Sequence, residues 1–448
     1  MINRERLGTL LGRERSLFAE RNPRSRAAYA EATHLFGSVP MTWMNKRAGG
    51  FPLYLASARG AGVTDVDGNS YVDFCLGDTG AMAGHSPDAV VAAVRARIEH
   101  DGGLTAMMPT TDAAWVGAEL TRRFGLPAWS FALTATDANR WAMRLARALT
   151  GRGRILFHSY CYHGSVDESL IVLSEGEPRS RWGNVGAPTD VLGTSRVVEI
   201  NDLDRLESEL SHEDTAAVLI EPALTNVGIV LPEPGYLAGV RDFTRRHGTL
   251  LIHDETHTFS AGPGGVTGRD GLSPDLVTIG KAIAGGVPCG AYGLSNEVAA
   301  ALLGREDLDL VDMGGVGGTL AGNPVSMAAA RACLGEVLTD DAFTRMITLT
   351  TRLTAALEQA VRSAGLAWSV TQLGARVEFR YADPAPRTGT ESDAAGDAEL
   401  DDYLHLYCAN RGVLLTPFHN MALTCPATTE SDVDLYATVF AAAVGDLS

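Results

Sequence analysis

The chain has 448 residues, of which 45% are hydrophobic and 20% charged, a composition typical of soluble globular proteins rather than disordered or fibrous ones. Its formal net charge of -17 argues against nucleic acid and anionic membranes as partners. No stretch reaches the roughly 18 apolar residues of a membrane helix, and the charged N-terminus has no apolar signal-peptide core. The six cysteines show no CxxC pair and no metal-ligand spacing. We therefore expect a cytoplasmic protein with reduced thiols and no metal site.

The N-terminal segment combines a helix with a small antiparallel unit. Residues 1 to about 35 alternate charged residues with Leu, Phe and Ala in a helical manner. The stretch "GAGVTDVDGNSYVDF" then places two short alternating runs around Asp67-Gly68, a dipeptide typical of hairpin turns. We expect residues 1–84 to supply this helix and part of a small domain.

From about residue 85, helical segments alternate with short apolar runs such as "GRILFHS", "AAVLIEP" and "PDLVTIGK". This alternation predicts an α/β domain with a parallel sheet that has helices on both faces. In such sheets ligands bind at the carboxyl ends of the strands, and Glu221, Asp254 and Lys281 lie at such ends. We expect residues 85–335 to form this large domain.

The C-terminal segment, residues 336–448, is expected to complete a small α+β domain that draws on both termini. It contains the acidic insert "DPAPRTGTESDAAGDAELDD", residues 383–402. Because such a stretch offers few apolar side chains to bury, we expect it to be a solvated loop.

Asp254 and Lys281 form the pair that carries chemistry. Asp254 closes an apolar strand in "LIHDETHTFSAG", and a buried ionised carboxylate is costly unless a cation or strong donor meets it. Lys281 follows another apolar strand and precedes Gly285-Gly286, where a ligand can approach the backbone. A lysine that forms a Schiff base and an aspartate that pairs with a protonated pyridine nitrogen are the two anchors of pyridoxal 5'-phosphate.

Several motifs around this pair occur in the order found in one enzyme family. They are "VTDVDGNSYVDF", "GHSPDAVVAAV", "EPALTNVGIVLPEPGYLAGVRDFTRRHGTLLIHDE", "TIGKAIAGGVPCGAYG" and "GGTLAGNP". The sequence resembles the class III, fold-type I aminotransferases that depend on pyridoxal 5'-phosphate, and within them the glutamate-1-semialdehyde aminomutase branch. The resemblance implies a fold-type I transferase, whose large domain has a mixed, mostly parallel sheet flanked by helices.

The resemblance also implies roles for individual residues. Lys281 would hold the cofactor as a Schiff base and shuttle a proton, and Asp254 would keep the ring nitrogen protonated. Tyr162 matches the aromatic residue that stacks on the cofactor ring, and His163 continues that turn. Thr256 replaces the aliphatic residue that the family places beneath the ring.

Further cofactor contacts follow from the same resemblance. Asn226 matches a side chain near the phenolic oxygen and Glu221 supports that wall, unless both make only a buried strand-end hydrogen bond. The phosphate would meet the backbone amides of Ala135 and Thr136, where alanine replaces the family's glycine. Thr319 matches a residue that reaches the phosphate from a neighbouring subunit, which implies a homodimer with a shared active site.

The sequence departs from the family where substrate would bind. The arginine with which these aminomutases hold the substrate carboxylate falls at Trp43, beside Met44. This replacement argues against glutamate-1-semialdehyde and favours an apolar or aromatic substrate group, or carboxylate capture by Arg376. His257 is expected at the rim of the site; it and His253 do not share one face, so they predict no metal site.

Two apolar stretches are open to both packing and substrate contact. Met107 lies in "LTAMMPTT" and His419 in "TPFHNMALT". Methionine-rich segments of this kind serve equally well as core filler and as pocket lining.

The leading functional reading is an aminotransferase that moves an amino group between an amino acid or amine and a keto acid. A 1,2-aminomutase is the alternative, because it runs the same two half-reactions on one molecule. A racemase or epimerase of the same branch is the third reading. A cofactor-binding regulator would need a DNA-binding domain or a basic patch, and the sequence offers neither.

Overall fold

The computed structural model describes residues 2–187, 190–308, 310 and 314–447. The chain divides into two compact units. One comprises Met1–Ser86, Thr344–Pro386 and Ala395–Ser448, and the other comprises Pro87–Phe343 and Arg387–Ala394. The domain limits drawn from the sequence stay a prediction. Within the described residues no helix combines the length and apolarity needed to cross a membrane.

The helices of the described chain vary from short turns to six or more turns. They are α1 (Arg4–Arg21), α2 (Pro23–Glu31), α3 (Asp88–Ala96), α4 (Thr111–Phe124), α5 (Ala135–Thr150), α6 (Val191–Thr194), α7 (Leu203–Leu210), α8 (Tyr236–Arg246), α9 (Gly265–Arg269), α10 (Asn296–Leu303), α11 (Pro324–Ala332), α12 (Asp340–Ser363), α13 (Gly389–Ala394), α14 (Ala398–Ala409) and α15 (Glu430–Gly445).

The strands are mostly four to six residues long. They are β1 (Leu55–Arg59), β2 (Gly62–Asp65), β3 (Ser70–Asp73), β4 (Ala128–Ala132), β5 (Arg154–His158), β6 (Ile171–Ser174), β7 (Glu177–Ser180), β8 (Ser195–Val198), β9 (Thr215–Ile220), β10 (Leu250–Asp254), β11 (Leu276–Ile279), β12 (Gly290–Leu294), β13 (Ser369–Leu373), β14 (Arg376–Arg380), β15 (Val413–Leu414) and β16 (Met421–Leu423).

A seven-stranded sheet with the order β4-β12-β11-β10-β9-β5-β8 forms the centre of the larger unit. Strands β8, β5, β9, β10 and β11 pair in parallel, whereas β12 runs antiparallel to both β11 and β4. Every residue of β9 is buried, as expected of a central strand covered on both faces. The predicted mixed, mostly parallel sheet is therefore confirmed.

Strands β10 and β11 bring the two anchor residues to one edge of this sheet. Asp254, the last residue of β10, pairs in register with Thr278 of β11. Gly280 and Lys281 follow directly after β11. Because parallel strands end at the same edge, Asp254 and Lys281 are neighbours without being close in sequence.

The smaller unit is built on two sheets, one with the order β1-β2-β3-β15 and one with the order β13-β14-β16. Its hydrophobic core joins Leu7 and Leu11 of α1 to Tyr403 of α14 and Phe440 of α15. Helix α15 begins with a capping box in which Thr429 and Asp432 each bond the other's backbone amide. The N-terminal helix and the β1–β3 unit predicted from the sequence are both present.

The acidic insert is more ordered than the sequence suggests, and the prediction of a solvated loop is wrong. Residues 383–402 contain α13 and the first turns of α14. Glu199 accepts hydrogen bonds from the backbone and hydroxyl of Thr390, and Ser392 Oγ donates to the Val227 carbonyl at 2.6 Å. These partners are far away in sequence, so local composition does not reveal them.

Candidate functional site

Asp254 is buried at the end of β10 and is surrounded by hydrogen-bond donors. Its Oδ2 accepts a hydrogen bond from Asn139 Nδ2 at 2.7 Å and lies 2.9 Å from His163 Nδ1. Its Oδ1 accepts one from the Thr256 amide at 3.0 Å. The carboxylate is thus fixed by three different segments of the chain.

The electrostatics of this cluster favour a charged pair. Burial raises the pKa of Asp254, but the hydrogen bond and charge of His163, with the bonds from Thr256 and Asn139, outweigh it, so the pKa lies below its usual value. Burial lowers the pKa of His163, yet Cys161 and Asp254 outweigh that effect and hold it well above its usual value. Asp254 is therefore an anion that faces an imidazolium.

The adjacent carboxylate, Glu255, binds backbone amides instead of a charged side chain. It accepts hydrogen bonds from the amides of Val266 at 3.1 Å and Thr267 at 2.6 Å. A Cβ on Gly265 would lie 2.1 Å from Glu255 Oε2, so glycine is needed for this approach. Burial raises the pKa of Glu255, the opposite direction from Asp254. The two consecutive carboxylates thus differ in role.

Lys281 occupies a tight turn after β11. Its φ of 48° lies in the left-handed region, which costs a non-glycine residue about 1–2 kcal/mol. The preceding Gly280 is in close contact with α5, because a Cβ there would lie 2.9 Å from the Ala135 Cβ. The Lys281 side chain is half-buried, and its Nζ lies 2.8 Å from His257 Nε2.

The N-terminus of α5 forms the adjoining wall of the site. Thr134 caps the helix by accepting a hydrogen bond from the Asp137 amide at 3.1 Å, and Ala135 is the first helical residue. The first amides of a helix have no carbonyl partner within it and favour anions. A Cβ on Gly164 would lie only 2.0 Å from Thr136 Oγ1, so the turn after β5 closes tightly on this helix end.

The turn after β5 also meets the end of β9, where Tyr162 contacts Glu221. The Tyr162 amide donates to Glu221 Oε1 at 3.1 Å, and Thr225 Oγ1 donates to the other carboxylate oxygen. Burial raises the pKa of Glu221. The Tyr162 side chain is 38% exposed, and Asn226 is half-buried just beyond Thr225.

The other candidates are distributed differently. Thr319 is exposed in the larger unit, and Met107 in the same unit is 91% exposed. Trp43, Met44, Arg376 and His419 belong to the smaller unit.

Within the smaller unit these residues occupy two settings. The Trp43 ring makes an edge contact with Phe418, with centroids 6.2 Å apart, and Trp43 is 44% exposed. Arg376 is fully buried and donates to Thr79 Oγ1. His419 is buried, with its Nδ1 3.9 Å from Glu378 Oε1.

Two features of the site were not expected from the sequence. Asn139, a buried residue of α5, bonds both Asp254 and the hydroxyl of Thr278. One signal in the sequence could have identified Asn139. It is a polar residue on the apolar face of a helix that begins at the predicted phosphate turn. The other unexpected feature is the contact between His257 and Lys281; the expected position of His257 at the rim of the site stays a prediction.

The donor set fits pyridoxal 5'-phosphate. A buried Asp254 with a lowered pKa suits a protonated ring nitrogen, Lys281 could supply the amine for the aldehyde, and the α5 N-terminus suits the phosphate. The buried hydroxyl of Thr256 has no hydrogen-bond partner within the described part of the chain. Leaving a buried hydroxyl without a partner costs free energy, and a hydrogen bond to a polar group of a bound cofactor would remove this cost.

Comparisons with known proteins place this chain among relatives of one family. The family model for class-III aminotransferases matches residues 43–441. The glutamate-1-semialdehyde 2,1-aminomutase of Desulfitobacterium hafniense (strain Y51) is 33% identical over 92% of this chain and 95% of its own length. That of Chloroflexus aggregans is 34% identical over 96% and 100%.

A solved structure described as a glutamate-1-semialdehyde-aminomutase from Pseudomonas aeruginosa PAO1, in complex with PMP, is also similar. It has 45% identity, a TM-score of 0.96 and full coverage of both chains. An omega-transaminase from Sphaerobacter thermophilus has 29% identity and a TM-score of 0.86, with 96% of this chain and 99% of its own covered. These likenesses confirm the predicted fold class.

Proposed function

Because the chain belongs to the class-III aminotransferase family and its cofactor is pyridoxal 5'-phosphate, we propose that it is a 1,2-aminomutase that moves an amino group between adjacent carbons of one substrate. The observation that carries this proposal is whole-chain similarity to proteins named glutamate-1-semialdehyde aminomutases. It favours the alternative reading of the sequence over the leading one, an aminotransferase. Glutamate-1-semialdehyde is the substrate to test first.

In this proposal the cofactor is held at three points. Asp254 would bind the ring nitrogen, Lys281 would supply the amine for the aldehyde, and the amides of Ala135 and Thr136 with the Thr136 hydroxyl would bind the phosphate. The half-exposed Tyr162 supplies an aromatic face for stacking on the ring. When bound, the cofactor withdraws electrons from the substrate carbon that carries the amino group.

The remaining cofactor candidates line the same walls. Thr256 would lie beneath the ring, and its hydroxyl has no hydrogen-bond partner within the described residues. Glu221 accepts from the Tyr162 amide and would support the wall on which Asn226 would meet the phenolic oxygen. His163, held by Asp254, supports the ring-binding carboxylate from behind.

The protein's own groups then control two protons. Asp254 keeps a proton on the ring nitrogen, and His163 and Asn139 hold the carboxylate in place for this task. Lys281 removes a proton from the substrate carbon and returns it to the neighbouring position. The burial of Asp254 excludes water from its charge and strengthens the interaction.

The second candidate is an aminotransferase that uses an amino donor and a keto acceptor. It is favoured by the aromatic Trp43 at the position that the family resemblance assigns to a carboxylate-binding arginine. Trp43 and Phe418 present partly exposed rings, which would suit an apolar or aromatic substrate group. In that case Met44, Met107 and His419 are further candidates for substrate contact, and Arg376 for carboxylate binding.

We also propose that the protein is a cytoplasmic homodimer. Its six cysteines are free, as expected in a reducing compartment. Thr319 is exposed, which leaves its hydroxyl available to the phosphate site of a second copy.

The experiment that separates the two functions omits the acceptor. The purified holoenzyme is mixed with glutamate-1-semialdehyde alone, and NMR follows the isomer with the amino group on the neighbouring carbon. An aminomutase forms this isomer without an added keto acid. Absence of the isomer, together with amino transfer that requires a keto acid, would establish the aminotransferase instead.

A further inference from the structure

The imidazole of His257 lies beside the amine of Lys281, and the proposed function leaves this contact unexplained. His257 Nε2 and Lys281 Nζ are 2.8 Å apart. His257 is buried and Lys281 is half-buried. At this separation a proton can pass directly from one nitrogen to the other.

His257 is held in place by the segment that carries it rather than by Lys281. The backbone amide of Glu255 donates to the Thr278 carbonyl at 2.8 Å, which fixes the end of β10 against β11. A 3-10 helix, Thr258–Ala261, begins directly after His257. Ser260 Oγ donates to the His257 carbonyl at 3.0 Å. These hydrogen bonds hold the backbone of His257 in place and so limit the positions that its imidazole can take.

Lys281 is fixed in the same way. Its left-handed φ follows a glycine that is wedged against the start of α5. A residue kept in that conformation stays there because the surrounding structure determines it. The flexible part of Lys281 is its side chain, and the contact with His257 orients the end of it.

The other charged groups around His257 face different partners. On its own segment, Asp254 is bound by Asn139 and His163, the latter from the turn after β5. Glu255 accepts from the amides at the start of α9. Lys281 approaches from the turn after β11. Lys281 is therefore a group with which His257 can exchange a proton.

We propose that His257 is a positioning residue for Lys281: it orients Nζ and exchanges a proton with it. An N–H bond of the Lys281 ammonium breaks while an N–H bond forms at Nε2 of the neutral imidazole, and the positive charge moves with the proton. The lysine is then an amine when it meets the cofactor aldehyde. The inference rests on the proposed function only for Lys281 as the attachment site, not for the substrate.

The test uses reconstitution, which needs no substrate. Cofactor is removed from the holoenzyme, and the rate at which the apoprotein takes up pyridoxal 5'-phosphate is followed by visible absorbance between about pH 5.5 and 8.5, around the imidazole pKa of about 6.5. The variants are His257→Gln, which keeps a hydrogen bond but cannot accept the proton, and His257→Leu, which does neither. The matched control is His253→Gln, a buried histidine of β10 whose Nδ1 lies 2.8 Å from Thr267 Oγ1.

In the wild type and the His253→Gln control, the rate should rise with pH through a step near the imidazole pKa. In His257→Gln that step should shrink to the part contributed by the cofactor phosphate, and uptake above about pH 7 should be at least about a hundredfold slower, the lower end of the usual range of proton-transfer assistance. Ionisation of the cofactor phosphate is common to all proteins and cancels in the comparison. A purely structural role would lower thermal stability without shrinking the step.

His257→Gln with the wild-type rate and profile would overturn the inference. If His257→Leu does not fold, His257→Gln decides by itself, since it preserves size and polarity. A wild type that takes up no pyridoxal 5'-phosphate would overturn the assignment of Lys281, and with it both proposals. The two failures are therefore distinguishable.

Discussion

Replacing Asp254 by asparagine tests the centre of the site. The new amide oxygen can still accept from the Thr256 amide, but its NH2 group would face the donors of Asn139 and His163. Hydrogen bonds to a charged group contribute about 1.5–3 kcal/mol each. His163 can relieve one conflict by releasing its proton. We expect the free energy of unfolding of apo Asp254→Asn to fall by about 3 kcal/mol, measured by denaturant unfolding.

The pH dependence of apoprotein stability gives a second, signed readout. The pKa of His163 is raised by folding, so its contribution is present below about pH 6.5, the unfolded value, and is lost as pH rises through the folded value. The pKa of Asp254 is lowered, so its contribution is present above about pH 3.9 and is lost as pH falls through the folded value. Asp254→Asn should remove the stabilisation that the Asp254–His163 pair gives the folded apoprotein over the pH range in which both groups are charged.

Catalysis should suffer more than stability. A neutral amide cannot hold the proton on the ring nitrogen, so turnover of Asp254→Asn should fall at least about a thousandfold, roughly 4 kcal/mol on the barrier. Glu255→Gln is the matched control, because Glu255 is an equally buried carboxylate bonded to backbone amides. It should lose stability but keep turnover within about tenfold. Equal activity of Asp254→Asn and wild type would refute the role of Asp254.

Three further changes test other parts of the site. Lys281→Ala should abolish turnover while leaving the far-UV circular dichroism spectrum unchanged. Borohydride reduction of the wild type should attach the cofactor permanently to the peptide that contains Lys281. Attachment to a different lysine would contradict the assignment. Gly164→Ala should weaken cofactor affinity by at least about tenfold, about 1.4 kcal/mol, because the new Cβ meets Thr136 Oγ1; equilibrium titration that shows wild-type affinity would argue against this wall. Under the second candidate function, Trp43→Arg should shift substrate preference from aromatic towards dicarboxylate-like compounds, and an unchanged order in a substrate panel would show that Trp43 has no part in selection.

The positions of Asp254 and Lys281 could be predicted because they depend on one general rule. Apolar runs of strand length that end in polar residues place those residues at the carboxyl edge of a parallel sheet. The pairing of Asp254 with Thr278 shows that β10 and β11 are neighbours, which puts the two anchors side by side. Neither side-chain rotamers nor helix positions were needed for that prediction.

The contacts of these anchors could not be predicted in the same way. Asn139 meets Asp254 only because α5 packs across β10 and β11, and His257 meets Lys281 only because two tight turns face each other. The helix α13 in the acidic insert depends on Glu199 and Val227, which are more than 160 residues away in the chain. Local composition and periodicity carry no information about partners at such separation.

Asp254 and Glu255 show how the same functional group, a buried carboxylate, can have its pKa shifted in opposite directions. Consecutive side chains in extended backbone face opposite directions, so Asp254 meets the imidazole of His163 while Glu255 meets the amides at the start of α9. A cationic partner lowers the pKa of Asp254 despite its burial, whereas neutral amides leave burial dominant and the pKa of Glu255 is raised. The partner, not the depth of burial, therefore decides the direction in which each carboxylate's pKa is shifted. A carboxylate with a lowered pKa is the better partner for a protonated ring nitrogen, and for this reason the proposed cofactor site uses Asp254 rather than Glu255.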